Sequence, residues 1–143
     1  MRRRIAAFLV LALAMTTAAC RESIDPGDPE PEVATIRLTV GGNAVTIAEN
    51  GAVTGGPLRI STTDQTLTAE FLRADGSPEL LVTSQTHRLD LTGGTNVTFT
   101  RASAFSGAIR GSAAGTTTMQ VSLFHLEENH PDFGPFPIQV ETQ

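Results

Sequence analysis

From Ala34 onward, apolar and polar residues alternate with a period of two, in runs cut short by glycine, asparagine and aspartate. Ile36, Leu38 and Val40 alternate with Thr35, Arg37 and Thr39. Successive side chains of an extended chain point to opposite faces, so such a run puts one face in a core and the other in water. Gly41-Gly42-Asn43 breaks the pattern, Val45 and Ile47 resume it, and Asn50-Gly51 interrupts again. Leu58 and Ile60 alternate before Thr62-Thr63-Asp64. Leu67, Ala69 and Phe71 alternate with Thr66, Thr68 and Glu70 and stop at Asp75-Gly76, a dipeptide that favours the positive φ of a tight hairpin turn. Further strands are expected at Leu80 to Val82, Leu89 and Leu91, Val97 and Phe99, Phe105 and Ile109, Thr116 to Leu126, and Ile138 to Val140. No stretch of this region carries a helical repeat. About nine short strands in about 110 residues predict a single all-β domain over residues 34–143, an antiparallel β-sandwich.

Composition narrows the function. The formal net charge is −5, all the basic residues are arginine, and there is neither Trp nor Tyr. An acidic chain without a basic patch has nothing to neutralise phosphates, so nucleic acid is not an expected partner. Abundant threonine suits the solvent face of half-buried strands. Asp132-Phe133-Gly134 spells a kinase triplet, but a kinase needs a phosphate-pairing lysine and this chain has no lysine. There is no G-x-S-x-G elbow and no matched acid/base pair, so a non-enzymatic role is expected.

The first 33 residues are of a different kind. Arg2, Arg3 and Arg4 form a positive segment, Ile5 to Met15 an apolar one, and Thr17-Ala18-Ala19 a small-residue site before Cys20, the only cysteine. This is the organisation of an export signal, and it is too short to span a membrane. The segment resembles the lipobox of bacterial lipoproteins, with Thr17 standing where that family most often has Leu. The resemblance implies a signal peptide at 1–19 and acylation of Cys20, which becomes the new N-terminus and anchors the protein to a membrane of the bacterial cell envelope. Arg21, rather than Asp, follows the cysteine, which in that family implies the outer membrane. Residues 20–33 then read as a tether. Pro26, Pro29 and Pro31 alternate with Glu22, Asp25, Asp28, Glu30 and Glu32, and proline together with like charge keeps a chain extended and disordered. At about 3.1 Å per residue, residues 21–33 reach roughly 40 Å. With no second cysteine there is no intramolecular disulfide, so the domain depends on its core.

The stretch GSAAGTTTMQVSLFH, Gly111 to His125, resembles the penultimate hairpin of bacterial immunoglobulin-like domains, where a small-residue turn leads into a threonine-rich strand. That resemblance implies an immunoglobulin-like sandwich. The Cys and Trp core signature of antibody-type domains is missing, and a fold of this kind implies no activity by itself.

Chemistry concentrates in HLEENHPDFGPFPI, His125 to Ile138. His125, Glu127, Glu128, His130 and Asp132 offer two imidazoles and three carboxylates, donors that Zn²⁺ and Cu²⁺ accept. If Met119, Val121 and Leu123 face the core, His125 is in phase with them at the strand's end. Pro131, Gly134, Pro135 and Pro137 are then expected to form an irregular loop before the last strand, at an end of the sandwich where binding sites gather. His87 is expected to contribute from across the sandwich if register allows. HLEENH is not the helical HExxH zinc motif, since four residues separate its histidines. The competing reading is an ordinary polar loop, with Phe133 and Phe136 plugging the core and the charges solvated.

Two functional expectations follow. One is a lipid-anchored, non-enzymatic binding module without a cofactor, whose partner is an envelope protein or a glycan. The alternative is a Zn- or Cu-binding protein with His125, His130, Asp132 and Glu128 as ligands. Oligomeric state and strand order stay open.

Overall fold

The computed structural model describes residues 30–143, and the expected signal peptide at 1–19 and the expected acylation at Cys20 fall outside that range. Ten strands make two sheets that pack face to face. The larger contains β1 (Thr35–Val40), β2 (Asn43–Ala48), β3 (Val53–Thr54), β5 (Gln65–Leu72), β7 (Val97–Ser103) and β8 (Ser106–Gly111), in the order β3-β2-β1-β5-β8-β7. The smaller contains β4 (Leu58–Ile60), β6 (His87–Gly93), β9 (Gly115–His125) and β10 (His130–Thr142), in the order β4-β10-β9-β6. The β1-β5-β8-β7 and β10-β9-β6 sets are connected as the two sheets of an immunoglobulin-like sandwich are. Among the described residues no helix is long and apolar enough to cross a membrane.

The alternation read in the sequence is the alternation of burial. Ile36, Leu38 and Val40 of β1, Val45 and Ile47 of β2, Leu67 of β5 and Ile109 of β8 point inward from the large sheet. Leu58, Leu89, Met119, Val121, Leu123, Ile138 and Val140 meet them from the small one. Each such side chain contributes about 1.5–3 kcal/mol by leaving water, which is how the domain holds together without a disulfide. At one end the core is closed by rings. Phe71 meets Phe105 edge to face at 4.9 Å, and Phe133 meets Phe136 likewise at 5.1 Å.

Three expectations need correction. Leu80 to Val82 is a turn, not a strand. The buried Glu79 carboxylate accepts the Leu81 N–H at 2.9 Å and bends the chain there, leaving Leu80 in solvent. The sheets are antiparallel except for one pair: β4 runs parallel to β10, Val140 opposite Leu58 and Thr142 opposite Ile60. Residues 131–137 do not form a loop but belong to β10. β4 pairs only with Val140–Thr142, so Pro131, Pro135 and Pro137 lie where the outer edge of β10 has no strand beside it and a missing N–H costs no ladder bond.

The chain enters the domain at the end where β5 stops and β6 begins. Thr35 pairs with Leu72, the Glu32 N–H donates to the Glu79 carboxylate at 3.0 Å, and Val33 packs on the core. Glu79 also receives Arg73 through Nε at 2.8 Å and Nη2 at 3.2 Å. These bonds hold its carboxyl well below the usual range, from the ordinary 4.5 to about 2, the Arg73 hydrogen bond being the largest cause. The last residues of the expected tether are therefore fastened to the domain. The turn between β9 and β10 lies at this same end.

Candidate metal centre

Three neighbouring strands of the small sheet each present a histidine at this end. His87 opens β6 and pairs with His125, the last residue of β9, which pairs in turn with His130, the first residue of β10. Directly opposed residues of antiparallel strands share a face, so the three imidazoles form one cross-strand row. The rings of His87 and His125 are stacked, with centroids 4.6 Å apart and planes 20° from parallel, and His130 stands edge-on to His125 at 6.2 Å.

Local sequence explains the row. The four residues Leu126 to Asn129 are the reversal between β9 and β10, closed by the Asn129 N–H on the His125 carbonyl at 3.1 Å. Asn129 takes the left-handed backbone, φ 58°, a region that asparagine enters more readily than most residues. The spacing that disqualified HLEENH as a helical motif thus places its histidines opposite each other in a hairpin. On the other side, the Leu126 N–H donates to the Thr86 carbonyl at 2.8 Å and the His87 N–H to the Thr83 carbonyl at 2.8 Å, which seats the start of β6 against the end of β9.

Asp132 joins the row through a β-bulge. Pro131 faces Phe124 and Phe133 faces Leu123, so Asp132 is an extra residue with no partner of its own. The bulge lets Phe133 keep its place in the core while Asp132 turns toward the histidines, a known use of bulges beside functional sites. A second register shift follows between Phe133 and Phe136. There Gly134 has φ 81°, and a Cβ on it would lie 2.5 Å from the Val121 carbonyl oxygen.

The contacts are short. His87, 2% exposed, has Nδ1 2.8 Å from the Thr86 hydroxyl and donates from Nε2 to Asp132 Oδ2 at 2.8 Å. His125 Nδ1 lies 3.5 Å from the same oxygen and 3.7 Å from Glu128 Oε2. His130 lies with Nδ1 3.2 Å from Asp132 Oδ1 and Nε2 2.6 Å from Glu128 Oε2. That bond to Glu128 is the main reason the His130 pKa is raised. One donor atom from each of His87, His125 and Asp132 falls within 4.8 Å of the others, and the same holds for Glu128, His130 and Asp132.

All four residues expected as ligands, His125, His130, Asp132 and Glu128, are thus brought together. His87 joins them from the adjacent strand of the same sheet, not from across the sandwich. Glu127, exposed, belongs to neither group of three, and Cys20 lies outside the described residues. What sequence reasoning lacked was the pairing of β6 with β9; its only trace was that His87 and His125 both stand at the end of an alternating run. Of the ring pair expected to plug the core, Phe133 is buried and Phe136 packs beside it, while the neighbouring charges converge on the histidines.

Comparison with known protein families, with curated proteins and with solved structures finds no match to this chain.

Proposed function

We propose that the domain is a non-enzymatic binding module whose ligand is a divalent transition-metal ion, Zn²⁺ or Cu²⁺, and that a lipid on Cys20 holds it at the bacterial cell envelope, at the outer membrane. The observation that carries the metal reading is the row itself: every histidine of the chain converges on one carboxylate at one end of a rigid sheet. Imidazole donors select Zn and Cu over Mg and Ca, which prefer oxygen alone. Strand ends hold donors more firmly than a loop would, and His87 is further oriented by Thr86. Among the described residues no comparable convergence of groups favours a protein or a glycan as the ligand. The anchor reading draws on the residue pattern before Cys20 and on the acidic, proline-rich tether after it.

Isothermal titration of the full-length protein in detergent with Zn²⁺ and with Cu²⁺ tests the ligand. Sub-micromolar binding that disappears in a His125→Ala/His130→Ala double variant is expected. Heat no greater than that of the variant sinks the metal reading. For the anchor, Cys20→Ser is expected to move the protein from the membrane fraction to the soluble one; membrane retention of the variant counts against it.

A further inference from the structure

We propose that the histidine row holds two metal ions bridged by Asp132. This rests on the metal-binding reading above and concerns how many ions the row takes. The two oxygens of Asp132 serve different neighbours. Oδ2 faces His87 Nε2 at 2.8 Å and His125 Nδ1 at 3.5 Å, whereas Oδ1 faces His130 Nδ1 at 3.2 Å. The ligands therefore sort into two triads that share one residue, His87–His125–Asp132 and Glu128–His130–Asp132. Tetrahedral Zn²⁺ with donors at about 2.0–2.1 Å sets those donors about 3.3 Å apart. The inner triad is near that spacing, whereas an outer ion needs the His130 ring or Glu128 to turn so that one nitrogen faces both carboxylates, since Nδ1 faces Asp132 and Nε2 faces Glu128. A carboxylate that spends one oxygen on each of two ions suits the separation of about 3.5–4 Å typical of paired metal sites.

The two positions differ in surroundings. The inner one has the buried His87 with the His125 and Asp132 side chains, 18% and 19% exposed. The outer one has His130 and Glu128, half in water at 50% and 56%. An inner ion is held by side chains already locked in place, while an outer ion must first order Glu128, so the inner site fills first. An imidazole takes an ion on an unprotonated nitrogen, so His87, whose Nε2 donates to Asp132, would carry its one proton on Nδ1, facing the Thr86 hydroxyl, once Nε2 holds the ion. A single ion among His125, Glu128, His130 and Asp132 would instead leave His87 as a positioning residue that donates to Asp132. Two ions therefore require His87 as a ligand, since the inner triad is incomplete without it.

Native mass spectrometry of the full-length protein in detergent micelles at saturating Zn²⁺ counts the ions, and electron paramagnetic resonance of the Cu²⁺ form reports whether they are coupled. Two ions are expected, with a half-field signal from a coupled copper pair. Glu128→Ala, an exposed substitution that leaves the core untouched, should retain one ion and abolish that signal. His87→Ala should remove the tighter ion, and Asp132→Asn should break the coupling. One ion in the unaltered protein overturns the two-ion inference and leaves the metal reading intact. Two ions without a half-field signal, and unaffected by Asp132→Asn, overturn the bridge. No ion overturns both.

Discussion

Asp132 reaches over the end of β9 to accept a 2.8 Å hydrogen bond from His87, which lies on β6, two strands away and 45 residues earlier in sequence. That bond joins the first and last of the three strands carrying the histidine row. It links the bulge in β10 to a buried imidazole, and through it the shape of the backbone decides the chemistry of the site.

Removing His87 should therefore cost stability even without metal. His87→Ala empties a buried position and leaves the Asp132 oxygen and the Thr86 hydroxyl without that partner. A loss of about 1–3 kcal/mol is expected. Urea unfolding followed by circular dichroism reads it directly, and a midpoint equal to that of the unaltered protein would contradict the packing described.

An ion that binds only the folded domain stabilises it in proportion to the logarithm of its concentration. With Zn²⁺ at a hundredfold over Kd the gain is about 2.7 kcal/mol, enough to raise Tm by several degrees. Thermal melts should show this rise, its reversal by a chelator, and its absence in the His125→Ala/His130→Ala double variant. A Tm indifferent to Zn²⁺ would count against metal binding.

Gly134 should not tolerate a side chain. Its backbone lies in the left-handed region, and a Cβ would press on the Val121 carbonyl. Gly134→Ala is expected to cost about 2 kcal/mol or more and to weaken metal binding together with stability, because the bulge that aims Asp132 lies two residues away. Chemical denaturation and metal titration of the same variant check both effects. Full stability would show that the backbone can shift at no cost.

The domain should lose stability in acid through Glu79. Its folded pKa, about 2, lies below the ordinary 4.5, so its contribution is complete above the unfolded value and is lost as pH falls through the folded one. The decline attributable to this group runs from about pH 4.5 down to about pH 2. Glu79→Gln should flatten that part of the curve and lower stability at neutral pH by about 1–3 kcal/mol, since the charge is lost and one of the two oxygens that accept from Arg73, Glu32 and Leu81 becomes an NH2 donor. A variant whose stability falls with acid as steeply as that of the unaltered protein would argue against this assignment.

How much of this was legible in the sequence depended on how local the cause was. The alternation of Ile36, Leu38 and Val40 is a property of neighbouring residues, and it fixed strand, face and core alike. Leu80 to Val82 is a short apolar run without that alternation and was expected as a strand, yet the carboxylate of Glu79 captured a backbone donor and turned the chain. The segment from Pro131 to Pro137 read as a loop because prolines usually end strands. Its place in β10 depends on β4 stopping short, which a period-two pattern does not encode. His125 and His130 were legible as neighbours through their spacing, whereas His87 came to them only through the pairing of β6 with β9, a contact decided by the whole sandwich.

The point where the chain enters the domain bears on who can use the site. Entry and histidine row share one end of the sandwich, and Glu32 is already bound to Glu79 beside them. Under the proposed anchoring at Cys20, the row would lie at the end of the domain to which the tether is attached. Eleven residues, 21–31, separate that cysteine from Glu32, a reach of roughly 35 Å at the polyproline rise of about 3.1 Å per residue. Metal bound as proposed would thus sit beside the point where the domain joins its tether, so shortening residues 21–31 would bring site and membrane closer together.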